Sequence, residues 1–192
     1  MLIYLLVIGF ISLLIVISTL IFVTPIYGFS IWYILLMIII NIILVIIIDA
    51  IIAFTVNKLP KKWFNHKLKR FHIFKFERKL YEFLKIRKWK DHIPELGALA
   101  NFRKNKVVDP NNNEYVEKFL EQCCYGEIVH LVSMFLGFLI IFFKLDYVFY
   151  FGIPVAIGNL ILNYLPYMVL RYNRPKLEVL YKRNELRGRK FE

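Results

Sequence analysis

Apolar residues along this chain fall into four blocks separated by polar stretches. Leu2 to Val23 carries no charge, and Phe29 to Val56 carries one, Asp49. Each is longer than the roughly 20 residues a helix needs to cross the hydrocarbon of a bilayer. A third block runs from Ile128 to Phe143, 16 residues, and a fourth from Tyr147 to Leu170. The third is short, and it crosses by recruiting the turn before it, which brings Glu127 and His130 inside or to the edge. The pattern predicts an all-α integral membrane protein. Four transmembrane helices form two hairpins, with a basic, amphipathic cytosolic or interfacial segment between them. The expected divisions are a first hairpin at 1–56, the interfacial segment at 57–125, a second hairpin at 126–171 and a basic cytosolic tail at 172–192. The first block lacks a basic leading region, and no small-x-small site precedes Thr24-Pro25, so it reads as a retained span rather than a signal peptide.

Composition agrees with this class. Of the 192 residues 59% are apolar, against about 45–50% in soluble domains, and the mean hydropathy is +0.56. Charge sets the orientation. Of 26 Lys and Arg, 17 lie between Asn57 and Leu120 and 8 between Arg171 and Glu192. The connections at Thr24–Gly28 and Lys144–Asp146 hold one basic residue, Lys144. Basic residues gather on the cytosolic side. The sequence therefore predicts a multi-pass protein of the cell membrane with both termini cytosolic. The formal charge of +12 reads as contact with anionic membrane lipids, and not nucleic acid, because no recognition motif accompanies it. Cys123 and Cys124 are adjacent, without metal-ligand spacing, and read as small buried residues.

Within the middle segment basic and aromatic residues interleave from Lys61 to Lys90. Phe76, Leu80, Phe83, Leu84 and Ile86 fall mostly on one helical stripe, with Arg78, Lys79, Lys85 and Lys88 off it. Such a helix either lies in the membrane interface, as the Trp and Lys density favours, or packs on the rest of the segment. Pro94 and Gly97 break any helix there. Asp109-Pro110-Asn111-Asn112-Asn113 is a turn, and Glu114 to Cys124 reads as a helix leading into the third span.

Ionisable residues in a span are functional candidates by default. Glu127 and His130 are three apart and share a helix face; Asn159 and Asn163 are four apart and share another. With the turn at Lys144–Asp146 closing a tight hairpin, His130 is level with about Leu160 and Glu127 with about Asn163. One polar patch is expected, either a substrate site or a set of polar groups satisfying one another. Asp49 lies at a depth compatible with contact to His130. This set suits proton transfer: a neutral imidazole takes a proton from a hydroxyl, and a carboxylate orients it and stabilises the cation. No Ser or Cys sits at a nucleophile elbow, so direct transfer between two bound substrates is the economical route. Arg171 and Arg174 offer bidentate donors to a carboxylate or phosphate.

The stretch Lys88-Trp89-Lys90-Asp91-x-x-Pro94-Glu95-x-Gly97, then Glu127-x-x-His130, then a span ending in Arg171-Tyr172-Asn173-Arg174-Pro175, resembles the bacterial glycosyl-4,4′-diaponeurosporenoate acyltransferase family over about residues 57–186. Members esterify a sugar hydroxyl of a glycosylated C30 carotenoid acid with a fatty acyl chain. This chain departs from the family pattern beside the candidate site. Tyr125 replaces a basic residue, Leu131 a Trp and Leu170 a Gln. The resemblance implies transfer of a fatty acyl group from a thioester donor to a hydroxyl of an amphiphilic lipid or glycolipid, with no cofactor and no metal. His130 is the expected base and Glu127 its orienter. Arg171, Asn173, Arg174, Asn159, Asn163, Asp49, Trp89 and Lys90 are expected to contact the substrates. Two other readings stand beside it: a cofactor-dependent membrane lipid methyltransferase or reductase, and a non-catalytic lipid-binding membrane subunit.

Overall fold

The computed structural model describes residues 2–93, 109–143 and 147–188, and among these all regular structure is helical. The expected turn at Lys144–Asp146 lies outside the described residues, as do Pro94, Glu95 and Gly97. Helix α1 (Leu2–Ser18) runs through a π-helical turn (Thr19–Val23) into the short α2 (Thr24–Tyr27), and α3 spans Ile31–Asn57. Two 3₁₀ turns, Lys61–Phe64 and Lys69–Phe71, lead to α4 (Lys75–Phe83), α5 (Ile86–Trp89) and a further 3₁₀ turn, Lys90–His92. Helix α6 (Asn113–Leu136) continues as a 3₁₀ segment, Gly137–Phe142, and α7 covers Val148–Gly188. Four helical stretches are long and apolar enough to cross a membrane: Tyr4–Tyr27, Ile31–Asn57, Asn113–Phe142 and Val148–Arg187. This is the make-up of a multi-pass membrane protein.

Local chemistry explains the irregularities. Pro25 has no N–H to offer the carbonyl of Ile21, and its ring crowds that carbonyl. The wider turn before it, where the Thr24 N–H donates to Thr19 O, absorbs the conflict. Gly28 ends α2 with φ +68° and donates its N–H to Thr24 O, a left-handed cap that glycine adopts without strain. Asn112 Oδ1 accepts from the Tyr115 N–H at the start of α6, as an N-cap should. The 41 residues of α7 measure about 60 Å, twice the ~30 Å hydrocarbon. They run through Pro154, Pro166 and Pro175, each of which forgoes one backbone hydrogen bond.

The chain divides into two compact units, Met1–Thr55 with Val129–Tyr164, and Val56–Ile128 with Leu165–Glu192. The first is cored by Ile15, Ile34, Met37, Ile38, Val45, Ile140, Phe151, Val155 and Ala156. Here α7 presents Gly152, Ala156, Asn159 and Asn163 at helical spacing along one stripe. A Cβ at Gly152 would stand 3.2 Å from Asn41 Oδ1 on α3. Small residues allow this close approach between spans. Tyr147 packs against Tyr27 at 5.1 Å and Phe29 at 4.5 Å between ring centres. Phe10, Phe22, Trp32 and Ile46 remain exposed, an apolar surface of the kind that lipid covers.

In the second unit Val116, Phe119, Leu120 and Cys123 of α6 pack on Leu170, Leu177 and Tyr181 of α7. Phe64 stacks on Tyr125 at 3.7 Å, and the Tyr125 hydroxyl donates to Leu59 O. Asn184 donates to Pro110 O, fixing the turn before α6. Cys123 and Cys124 are buried thiols, as their context suggested. Of the expected stripe on α4 and α5, Ile86 is buried with Tyr81, while Phe76 and Phe83 are exposed together with Phe74. The stripe therefore splits between an inward and an outward face.

Candidate functional site

Two polar centres stand out, one in each unit. In the first, α3, α6 and α7 bring Asp49, His130, Asn159 and Asn163 together. His130 Nδ1 lies 2.9 Å from Asn163 Oδ1. Asn163 Nδ2 donates toward Asp49 Oδ2 at 3.1 Å, Asn159 O at 3.1 Å and Asn159 Oδ1 at 2.9 Å. Asn159 Nδ2 donates toward Asp49 Oδ1 at 3.3 Å and Ser133 O at 3.2 Å. Each oxygen of Asp49 therefore accepts from one amide. Both asparagines are buried, while Asp49 and His130 are partly exposed. Gly137 makes room for this packing, since a Cβ there would collide with Asn159 Nδ2.

The second centre is a buried ion-pair network. Glu127, 1% exposed, accepts from Arg174 Nε on Oε1 at 2.6 Å and from Arg171 Nη1 on Oε2 at 3.2 Å. Arg171 meets Glu77 of α4 bidentately, through Nε and Nη2 at 2.9 Å each, and donates to His72 O. Arg174 Nη1 donates to Glu178 Oε1 at 2.6 Å, while its buried Nη2 has no acceptor among the described residues. His66 Nδ1 stands 3.9 Å from Glu178 Oε1. That separation is too long to hold a proton against desolvation. Burial accordingly keeps the imidazole below its ordinary pKa although Glu178 pulls it upward. Burial also raises the Tyr81 phenol, with Glu77 adding to the effect.

The expected residues thus distribute between two centres. His130, Asn159, Asn163 and Asp49 meet in one, and Glu127, Arg171 and Arg174 in the other. Glu127, expected to orient His130, has its two oxygens on arginines, and the imidazole Nδ1 is met by an amide. Asn173 is partly exposed. Trp89 Nε1 donates to Leu84 O, and Lys90 Nζ donates to Asp91 Oδ1, so both serve local contacts. Five participants were not anticipated, among them His72, whose backbone carbonyl accepts from Arg171. Glu178 lies one turn beyond Arg174, a spacing that signals an ion pair. Ser133 contributes a backbone carbonyl, which no side-chain pattern announces. Glu77 and His66 gave no signal in a segment dense with charge. Among the described residues no three His, Cys, Asp or Glu stand where they could share a metal ion.

Chemically the first centre can hold and stabilise a proton on an imidazole, and the second can clamp helices. A family model described as CrtO, glycosyl-4,4′-diaponeurosporenoate acyltransferase, matches residues 60–183. The match includes His130, Asn159, Asn163 and the whole second centre, and it begins after Asp49. No curated protein and no solved structure matches the chain.

Proposed function

The chain belongs to the glycosyl-4,4′-diaponeurosporenoate acyltransferase family, and from that premise we propose an integral membrane acyltransferase. It moves a fatty acyl group from a thioester donor to a hydroxyl of an amphiphilic glycolipid. Beyond the family itself, the observation that carries this reading is the contact of His130 with Asn163 and, through it, with the Asp49 carboxylate. An imidazole so placed is a general base. It takes the proton of the acceptor hydroxyl as the oxygen attacks the thioester carbonyl. The C–S bond then breaks, the new ester keeps the acyl group, and the imidazolium returns its proton to the leaving thiolate.

Polar parts of the substrates are assigned to the partly exposed Asn173, since Arg171 is engaged by Glu77, Glu127 and His72 O and Arg174 is buried between Glu127 and Glu178. The spans are arranged as two hairpins in the cell membrane, with both termini and the basic segment cytosolic. Exposed Phe74, Phe76 and Phe83 beside Lys75, Arg78 and Lys79 support α4 as a helix seated in the interface.

Lipid extracts of cells with and without the gene test the activity, with acylated glycolipid expected only in the first. Identical ester profiles, together with no turnover by purified protein supplied with an acyl thioester and a glycolipid, would end this reading.

A further inference from the structure

The two amides beside His130 do more than fill a polar gap. A carboxamide has one acceptor end and one donor end, and their order matters. Three acceptors surround one end of Asn163: Asp49 Oδ2, Asn159 O and Asn159 Oδ1, at 2.9 to 3.1 Å. Only the NH₂ group can face them, because carbonyl oxygen there would meet three oxygens without a hydrogen. The other end, Oδ1, must therefore face His130 Nδ1 at 2.9 Å. Carbonyl oxygen only accepts, so the neutral imidazole carries its proton on Nδ1 and its lone pair on Nε2. Asp49 fixes this sense of the chain. Both its oxygens receive amide N–H groups, the pattern of an acceptor-only carboxylate.

We infer that Asp49 and Asn163 are positioning residues that hold His130 in the Nδ1–H tautomer and so assign Nε2 as the proton-accepting atom. The inference deepens the assignment of His130 as base and rests on it. Asp49 does not touch the imidazole; its charge acts through the Asn163 amide, polarising the carbonyl that faces Nδ1–H. When Nε2 takes a proton, the imidazolium gains a stronger hydrogen bond to that carbonyl, as charge-assisted bonds do. Asn159 holds the donor end of Asn163 in place, and Gly137 leaves space for Asn159.

The test is nitrogen NMR of the full-length protein in lipid nanodiscs with labelled histidine. The chain has four histidines, and the signals lost in His130→Gln identify those of His130. In the unsubstituted protein the neutral form is expected to show a protonated Nδ1 and an unprotonated Nε2. Asn163→Leu should release the proton to Nε2 and lower kcat about 10²-fold, with KM changed less than about twofold. Asn163→Gln, which keeps one acceptor end and one donor end, should retain the proton on Nδ1 and more of kcat than Asn163→Leu. A proton found on Nε2 in the unsubstituted protein overturns the inference, whatever the variants do. So does Asn163→Leu with tautomer and kcat both unchanged. If His130→Gln keeps its turnover, the base assignment fails, and the tautomer result identifies a purely structural amide chain.

Discussion

The two polar centres solve the same problem with different chemistry. In the second unit two guanidinium groups meet three carboxylates, Glu77, Glu127 and Glu178, through four ion pairs. In the first unit a single carboxylate, Asp49, is met by neutral amides, and the chain of contacts ends on an imidazole. Opposite charges paired in this way give a rigid clamp whose state is costly to alter. A carboxylate balanced only by dipoles keeps the capacity to stabilise a cation that forms later. The ion-pair network suits holding helices, and the amide-linked carboxylate suits moving a proton.

The sharpest break in this comparison comes from His130→Ala. General base catalysis typically contributes about 10²–10⁴-fold, so turnover per folded molecule should fall by that factor while yield and melting temperature stay near the starting values. Normal turnover would place both centres in the structural class. Glu127→Ala should behave in the opposite way. It leaves Arg171 with Glu77 alone and Arg174 with Glu178 alone, and breaking a buried pair from one side costs up to about 3–5 kcal/mol. Poor yield and a lowered melting temperature in detergent are expected, with near-native turnover in whatever folds. A fully stable variant with lost turnover would move Glu127 into the reaction.

A smaller effect is expected at Gly137→Ala. The new methyl collides with the Asn159 amide, and overpacking of this kind costs about 1–3 kcal/mol. Gly9→Ala meets nothing within 4 Å and serves as the near-neutral control in the same thermal melts. The smallest effect concerns pH. The folded-state pKa of His66 is lowered by burial, so the unfolded chain binds its proton more readily. This contribution to stability is complete above the ordinary histidine range and declines as pH falls through it toward the lowered value. Melting temperature should therefore drop on mild acidification, and less so in His66→Gln. Equal slopes in the two proteins would remove His66 from the account.

The sequence made much of the first centre legible. Four apolar blocks marked the four candidate spans because each residue type reports its own transfer energy. The spacing of Asn159 and Asn163 placed both on one face, and their depth matched His130. Asp49 was identifiable as the lone charge in its block. The second centre was harder to read. On a helix of 3.6 residues per turn, positions three apart leave the axis about 60° apart in direction, so Glu127 and His130 share a face only loosely. Which neighbour each side chain meets then depends on packing. Glu77 and Arg171 are 94 positions apart, and no local pattern couples them. In a segment with 17 basic residues any one of the glutamates reads as solvated, whereas tertiary structure makes Glu77 the bidentate partner of an arginine.

Asp49 also has a history in time. Its amide partners lie 110 and 114 positions further along the chain. A ribosome adding roughly 5–20 residues per second needs on the order of 5–20 s to make them. The nascent chain thus carries an acidic side chain in a very apolar span before the groups that satisfy it exist. Among the candidate spans, the one holding both late partners is the least apolar, with a mean hydropathy of 1.6 against 3.0 and 3.2 for the first two. Insertion of the early spans and of the late ones is therefore unequal. Until residue 159 is made Asp49 lacks these partners, and completion of α7 converts that liability into the bond that ties the first half of the protein to the last.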